Sequence, residues 1–150
     1  MFYRAAALAL LFTVAACDND GDGDVDEADL LVGSWSLTNV EDETGNRLAD
    51  FEMTYSDFLS TFQSDGDVVI FLDTTDPETP DISVTAAYEI NQTNNTVTLT
   101  VTTPGGPVAI EFEYLFVDDD TLELTTGALL MNLVFGTTLV GESTITLSRT

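Results

Sequence analysis

Six aspartates near the start of the chain are spaced as calcium ligands would be. Within residues 18–29 they stand at the first, third, fifth, seventh, ninth and twelfth places, and Gly23 holds the sixth. Ca²⁺ takes six to eight hard oxygen ligands, and a glycine at the sixth place lets such a loop turn sharply. The spacing therefore predicts a Ca²⁺ site, to which the seventh residue would contribute its backbone carbonyl. The six residues are Asp18, Asp20, Asp22, Asp24, Asp26 and Asp29.

This segment resembles the twelve-residue loop of EF-hand proteins in a dockerin-like form, with aspartate at the last place where glutamate is usual. It departs from that family because no helix pattern precedes it and the following helix has room for about one turn before Gly33. The resemblance implies weak binding, with a Kd of about 0.1–1 mM as in extracellular modules. A solvated acidic spacer is the alternative interpretation, and the two are compatible.

Cys17 ends an apolar run and directly precedes the acidic segment. The run Ala5 to Ala16 has the length of a signal-peptide core and is too short to cross a bilayer as a helix. The sequence Val14-Ala15-Ala16-Cys17 resembles the lipobox of bacterial lipoproteins. That resemblance implies cleavage before Cys17 and lipidation of its thiol and new amino terminus, and several acyl chains together hold a protein on a membrane. A secreted protein with a stray cysteine is the alternative; Cys17 is the sole cysteine, so no disulfide within the chain can form.

The acidic residues directly after Cys17 also resemble the surface-export signal of Bacteroidetes lipoproteins, which implies a lipid anchor in the outer membrane and exposure at the cell surface. We therefore divide the chain into three parts. They are a signal peptide (1–16), a lipidated cysteine with an acidic, calcium-loop-like stalk (17–30), and a β-rich domain (31–150).

The charge balance excludes several partners. The chain has 27 acidic residues, three basic ones and no histidine, a formal charge of −24, and loss of Arg4 with the signal peptide leaves −25. Such a charge repels nucleic acid and anionic lipid headgroups. Acid excess without lysine is the composition of halophilic proteins, so we expect a fold that molar salt stabilises by screening self-repulsion.

The residue types also argue against an enzyme. Without histidine or lysine, the chain cannot form Ser-His-Asp or Cys-His nucleophiles, Schiff bases or the usual zinc sites. Glu111 and Glu113 share one face of a predicted strand, as a glycosidase pair could. Among 27 acids such a pair is expected by chance, and a solvated outer face explains it better. A carboxylate-pair hydrolase stays the remote alternative.

Alternation of apolar and polar residues dominates the chain from Leu31 onward, broken by turn residues such as Ser64-Asp65-Gly66-Asp67. This pattern predicts an all-β domain of about eight antiparallel strands, closed as an up-and-down barrel, with a two-sheet sandwich as the alternative. A short helix within 50–56 is an open alternative to strand. The apolar run Leu129 to Phe135 breaks the alternation, and we interpret it as an element buried on both faces or, second, as a flap over a pocket.

Four short motifs make the domain resemble the lipocalin-like lipoproteins of Bacteroidetes. They are Gly33-Ser34-Trp35, Phe62 with Ser64-Asp65-Gly66, Asp120-Thr121-Leu122 and Thr146-Leu147-Ser148-Arg149. The resemblance implies that Trp35 plugs one barrel end and that Arg149 lies across it, a cation–π contact of about 0.5–2 kcal/mol. The alternative interpretation is that Trp35 is an ordinary core residue and that Arg149 belongs to a frayed chain terminus.

The same resemblance implies a cup for a small apolar molecule, and the candidate ligand-binding residues are Tyr88, Tyr114, Leu130 and Phe135. An eight-stranded barrel is wide enough either for its own side chains or for one small ligand. Two functions therefore stay open at this point. One is a ligand-binding envelope lipoprotein, and the other is a filled barrel that serves as a structural or protein-interaction module with a partner the sequence does not name.

Overall fold

The computed structural model describes residues 27–150. The signal peptide, Cys17 and five of the six predicted calcium ligands, Asp18 to Asp26, lie outside the described residues. Within the described part the elements are β-strands and three short helices. The helices are α1 (Glu27–Leu31), α2 (Leu48–Glu52) and α3 (Ala128–Phe135), and the strands are β1 (Gly33–Asp42), β2 (Gly45–Asn46), β3 (Tyr55–Phe62), β4 (Asp67–Thr74), β5 (Ile82–Asn91), β6 (Thr96–Thr103), β7 (Gly106–Asp118), β8 (Thr121–Gly127) and β9 (Glu142–Arg149).

Eight of the strands form a closed antiparallel barrel. β3 to β9 pair in sequence order, β1 pairs with β3, and β1 also pairs with β9, which closes the sheet. β2 adds a two-residue extension to β1. Closure satisfies the edge hydrogen bonds that a sandwich would leave open. The predicted up-and-down barrel is confirmed, and the sandwich alternative is wrong.

The interior follows from strand alternation, with one irregularity. In β7, Ile110, Phe112 and Tyr114 point inward and are buried, whereas Glu111 and Glu113 between them are exposed. In β1 a bulge shifts the register between Leu37 and Asn39, so the next buried residue after Trp35 is Val40. A strict two-residue period would have placed Asn39 inward, and the bulge was not anticipated from the sequence.

Up-and-down topology sorts the connections onto two ends, which we name by their contents. The tryptophan end carries α1, the start of β1, the end of β9 and the turns β3–β4, β5–β6 and β7–β8. The α3 end carries α2, α3, the β4–β5 loop and the β6–β7 turn. No helix in the described part is long and apolar enough to cross a membrane.

The apolar run Leu129 to Phe135 corrects one prediction. It lies within α3, and it is not buried on both faces, because Leu129 is 81% exposed while Met131 is 2% exposed. Met131 therefore packs on the barrel core, whereas Leu129 projects into solvent. α2 appears close to the helix held open for 50–56, but it begins earlier, at Leu48.

Candidate functional site

The tryptophan end is closed by Trp35, whose side chain is fully buried. Its indole Nε1 donates a hydrogen bond to the backbone carbonyl of Leu31, at 2.9 Å, so the ring is fixed against the end of α1. The Phe116 ring packs beside it, with 6.2 Å between ring centroids. The guanidinium carbon of Arg149 lies over the indole, 4.4 Å from its centroid. The structure thus brings together the two residues predicted as a closing pair.

Arg149 also binds the end of α1 and the residue that follows it. Its Nη1 donates to the carbonyl of Val32 at 3.0 Å and its Nη2 donates to that of Leu30. The carbonyls at the end of a helix have no partners within the helix, and the planar fork of arginine donors can satisfy two of them. On the outer side Nε donates to the carbonyl of Asp119, at 3.2 Å, and forms an ion pair with Asp120, at 3.5 Å. One residue therefore joins the last strand, the first helix and the β7–β8 turn.

Gly33 makes room for this arrangement. Its φ of +142° lies where residues with a Cβ are strained, and a Cβ placed there would lie 2.6 Å from Nη1 of Arg149. The glycine two places before Trp35 is thus needed both for its backbone angle and for the close approach of the guanidinium.

The two tyrosines predicted as ligand-binding residues lie among the aromatic side chains that fill this end. Tyr88 packs edge-on against Phe62, with 5.1 Å between centroids, and its hydroxyl donates to the carbonyl of Gln63 at 2.8 Å. Burial, with the nearby Asp65 carboxylate, raises the pKa of Tyr88, so its hydroxyl stays protonated. Tyr114 hydrogen-bonds through its hydroxyl to Glu27 of α1. Both hydroxyls are engaged by the protein's own groups.

A small apolar cavity lies toward the α3 end of the barrel and is bordered by strands β4 to β7. Its volume is about 40 Å³, which is room for about three water molecules, whereas pockets for small-molecule ligands run to about 300–1,000 Å³. In the part of the chain whose side chains are described, the barrel is thus largely filled. The cavity is lined by Ile70, Leu72, Ile82, Val84, Leu99, Val101, Ile110 and Phe112.

None of these lining residues is among the predicted ligand contacts. Their inward alternation was visible in the sequence, but which alternating residues border a void depends on cross-strand neighbours. The side chains of Leu130 and Phe135, the remaining candidates, lie outside the described part of the chain.

At the α3 end, the carboxylate of Asp42 joins separate segments of the chain. Asp42 accepts hydrogen bonds from the backbone N–H and the hydroxyl of Thr44, at 2.8 and 2.5 Å, and from the N–H of Val140 at 3.0 Å. Nη1 of Arg47 lies 3.7 Å from the same carboxylate. These hydrogen bonds, led by that of the Thr44 hydroxyl, hold the pKa of Asp42 below its ordinary value. Asp42 therefore links the end of β1, α2 and the segment before β9.

Of the predicted calcium ligands, Asp29 is the one within the described residues, and it is an exposed residue of α1. Across residues 27–150, no group of three acidic side chains is placed to hold a metal ion. Glu111 and Glu113 both lie on the exposed outer face of β7.

The chain matches no protein-family model, and a search of the curated proteins finds no match to it. The lipoprotein, EF-hand and lipocalin-like resemblances therefore enter below as proposals.

Proposed function

We propose that this chain is an exported, lipid-anchored envelope protein whose filled barrel serves as a protein-interaction module. The observation that carries the proposal is the packed interior. Aromatic side chains occupy the tryptophan end, and the enclosed cavity of about 40 Å³ is several times smaller than a ligand pocket. A barrel that is filled by its own side chains has its outer surface and loops left for recognition.

The anchor fits the position of α1. Lipidation at Cys17 would leave ten residues to Glu27, a span of at most about 36 Å when fully extended. Because α1 packs on the tryptophan end, that end would face the membrane from which the chain hangs. The α3 end, on the opposite side of the barrel, is then the surface presented to other molecules. Calcium at Asp18 to Asp29 would stiffen this connection, and the proposed function does not depend on it.

The anchor is tested by metabolic labelling with a radioactive fatty acid in the native host. We expect label on the wild-type protein and none on Cys17→Ser. Label on both would show acylation elsewhere and would remove the lipobox assignment.

The filled barrel is tested by organic extraction and mass spectrometry of the mature chain, purified in molar salt from its native host. We expect no apolar compound in stoichiometric amount. A lipid or pigment at about one equivalent would overturn the proposal.

Such a result would support the second candidate, a binding protein for a small apolar molecule. The observation that favours it is the cavity itself, which is walled by apolar side chains alone and lies toward the α3 end. A ligand larger than the present cavity would require the Ile82 rim of the barrel, 36% exposed, to move outward.

A further inference from the structure

We propose that a groove across the α3 end binds a basic, amphipathic segment of another protein. The inference rests on the proposed function, because it names the recognition surface of the filled barrel. The groove consists of two depressions of about 270 and 340 Å³ that share Met53 and Thr54. One runs from α2 to the segment 136–139, and the other runs from Met53 to Thr79 and Ile82 in and after the β4–β5 loop.

The groove is lined by apolar side chains together with threonines and charged residues. Buried side chains from three elements contribute to its lining, namely Phe51, Tyr55 and Leu139. Met53 stands between the two depressions and is 71% exposed. Seven large apolar side chains are exposed in the described part of the chain, and five of them lie at the α3 end. Two of these five, Met53 and Ile82, line the groove. The five are Met53, Ile82, Val108, Leu129 and Val140.

The groove is also held in shape before any partner arrives. The hydroxyl of Thr75 donates to the carbonyl of Met53 at 2.8 Å, which ties the end of α2 to the β4–β5 loop. Within that loop the hydroxyl of Thr74 donates to the carbonyl of Thr79 at 2.6 Å. A preformed site loses little conformational entropy on binding, so more of the contact energy appears as affinity.

The charge of the residues that line the groove indicates which class of partner it can bind. Asp50 and Asp76 line the groove. The one cation at this end, Arg47, also lines the groove and lies 2.6 Å from Asp50 and 3.7 Å from Asp42. These three side chains together carry one net negative charge, and Asp76 adds a second. A segment carrying lysine or arginine beside apolar side chains would meet both the apolar lining and the negative field. A second copy of this chain is disfavoured, since each mature copy carries a formal charge of −25 and the two would repel.

The test uses the full mature chain and a fluorescein-labelled twelve-residue peptide of alternating leucine and lysine. Binding is followed by anisotropy at the lowest salt at which near-ultraviolet circular dichroism shows the native fold. We expect saturable binding that weakens with added salt, and no binding of a peptide with glutamate in place of lysine.

Two variants with equal charge changes locate the site. Met53→Lys places a cation in the middle of the groove, and Leu115→Lys places one at a 58% exposed apolar position on the outer face of β7. We expect Met53→Lys to weaken binding at least tenfold and Leu115→Lys to change it less than about threefold. Both residues are exposed, so both variants should fold, and their melting temperatures check this.

Equal weakening of peptide binding by the two variants would show that binding follows overall charge, and this would overturn the groove as the binding site. Dimerisation of the mature chain in sedimentation, without peptide binding, would assign the groove to a second copy of the chain and overturn the proposed basic partner.

The extraction experiment separates this proposal from the proposed function. A stoichiometric apolar compound removes the filled barrel while leaving the peptide result intact, whereas failure of the peptide test leaves the filled barrel standing.

Discussion

The two ends of the barrel are closed in different ways. At the tryptophan end a fully buried indole, a guanidinium 4.4 Å above it and the carbonyls at the end of α1 form one connected arrangement. At the α3 end the carboxylate of Asp42 joins a hairpin and a loop. Exposed apolar side chains lie at the same end, and a small cavity is bordered by β4 to β7. The first end uses its large side chains for stability, while the second leaves apolar surface accessible.

The difference follows from which strands close the barrel. β1 and β9 must pair to close the barrel, and Trp35 and Arg149 are direct partners in that pairing. No turn or loop joins β1 directly to β9, whereas β3–β4, β5–β6, β6–β7 and β7–β8 are each joined by a short turn. Side-chain contacts at the tryptophan end take the place of such a turn. The α3 end bears the longer connections, which loops and short helices can fill.

Removal of the indole should have the largest effect on this contrast. Trp35→Ala should lower the free energy of unfolding by about 3–5 kcal/mol, because it deletes a buried aromatic side chain and leaves Arg149 without its partner. Denaturant unfolding in molar salt measures this. The control at the α3 end is Leu72→Ala, at a residue 2% exposed. A smaller loss for Trp35→Ala than for the control would mean that the tryptophan end does not carry the greater stability.

The two arginines compare the ends directly. Arg149→Gln should cost about 1–3 kcal/mol, since it removes the cation–π contact and charged hydrogen bonds to α1. Arg47→Gln should cost less than about 1 kcal/mol, because Asp42 keeps its three hydrogen bonds and the Asp50 side chain is half exposed. The side chains of the two arginines are similarly exposed, at 28% and 24%, so exposure does not account for the expected difference. Equal losses would remove the special role of Arg149.

Gly33→Ala tests the same arrangement without altering either partner. The added Cβ would lie against Nη1 of Arg149 at a strained backbone angle, and we expect a loss of about 1–3 kcal/mol. Gly127→Ala is the matched control, since a Cβ there meets nothing within 4 Å. The double variant Gly33→Ala/Arg149→Gln should lose less than the sum of the single losses, because each disturbs the same contact. Strict additivity would show that Gly33 matters for its backbone angle alone.

Acid should weaken the α3 end through Asp42. Its pKa is lowered by folding, so its contribution to stability is present above the ordinary value of 3.8 and is lost as pH falls through the lower folded value. Unfolding midpoints of wild type and Asp42→Asn should differ at pH 6 and converge below about pH 3. The exposed Asp57→Asn serves as control. A wild-type advantage over Asp42→Asn that persists unchanged into acid would show that the carboxylate charge is not what stabilises this end.

The smallest expected effect concerns the cavity. Val84→Ile adds one methylene toward a space of about 40 Å³ and should raise stability by at most about 0.8 kcal/mol. Val117→Ile, on the exposed outer face of β7, should leave stability unchanged. A loss of stability on Val84→Ile would indicate that the wall of β4 to β7 is already packed tightly there.

Sequence patterns could predict much of the fold because each strand is read locally. The alternation in β7 and the turn at residues 64–67 appear as expected, and so does barrel closure. The helix α3 was read wrongly as fully buried, since an unbroken apolar run such as Leu129 to Phe135 has the same appearance whether one or both sides are covered. The bulge after Leu37 escaped notice because nothing in the residue types marks it.

The site was predicted unevenly for a related reason. Trp35 and Arg149 were singled out by short motifs at the two ends of the domain, and the register of β1 and β9 brings them into contact. Tyr88 and Tyr114 were chosen for size, but their hydroxyls are bound to Gln63 and Glu27, neighbours that no linear pattern connects to them. The groove around Met53 was not foreseen, because its lining comes from four separate segments.

Composition and local spacing account for the strand pattern, the extreme acidity and the absence of histidine and lysine. Which side chains fill the barrel, the contact of Arg149 with the end of α1 and the exposed apolar residues at one end follow from the tertiary structure. The physical reason is that packing and hydrogen bonding depend on distances between residues far apart in the chain. Strand register and barrel closure set those distances, and they do so only once the whole sheet has formed.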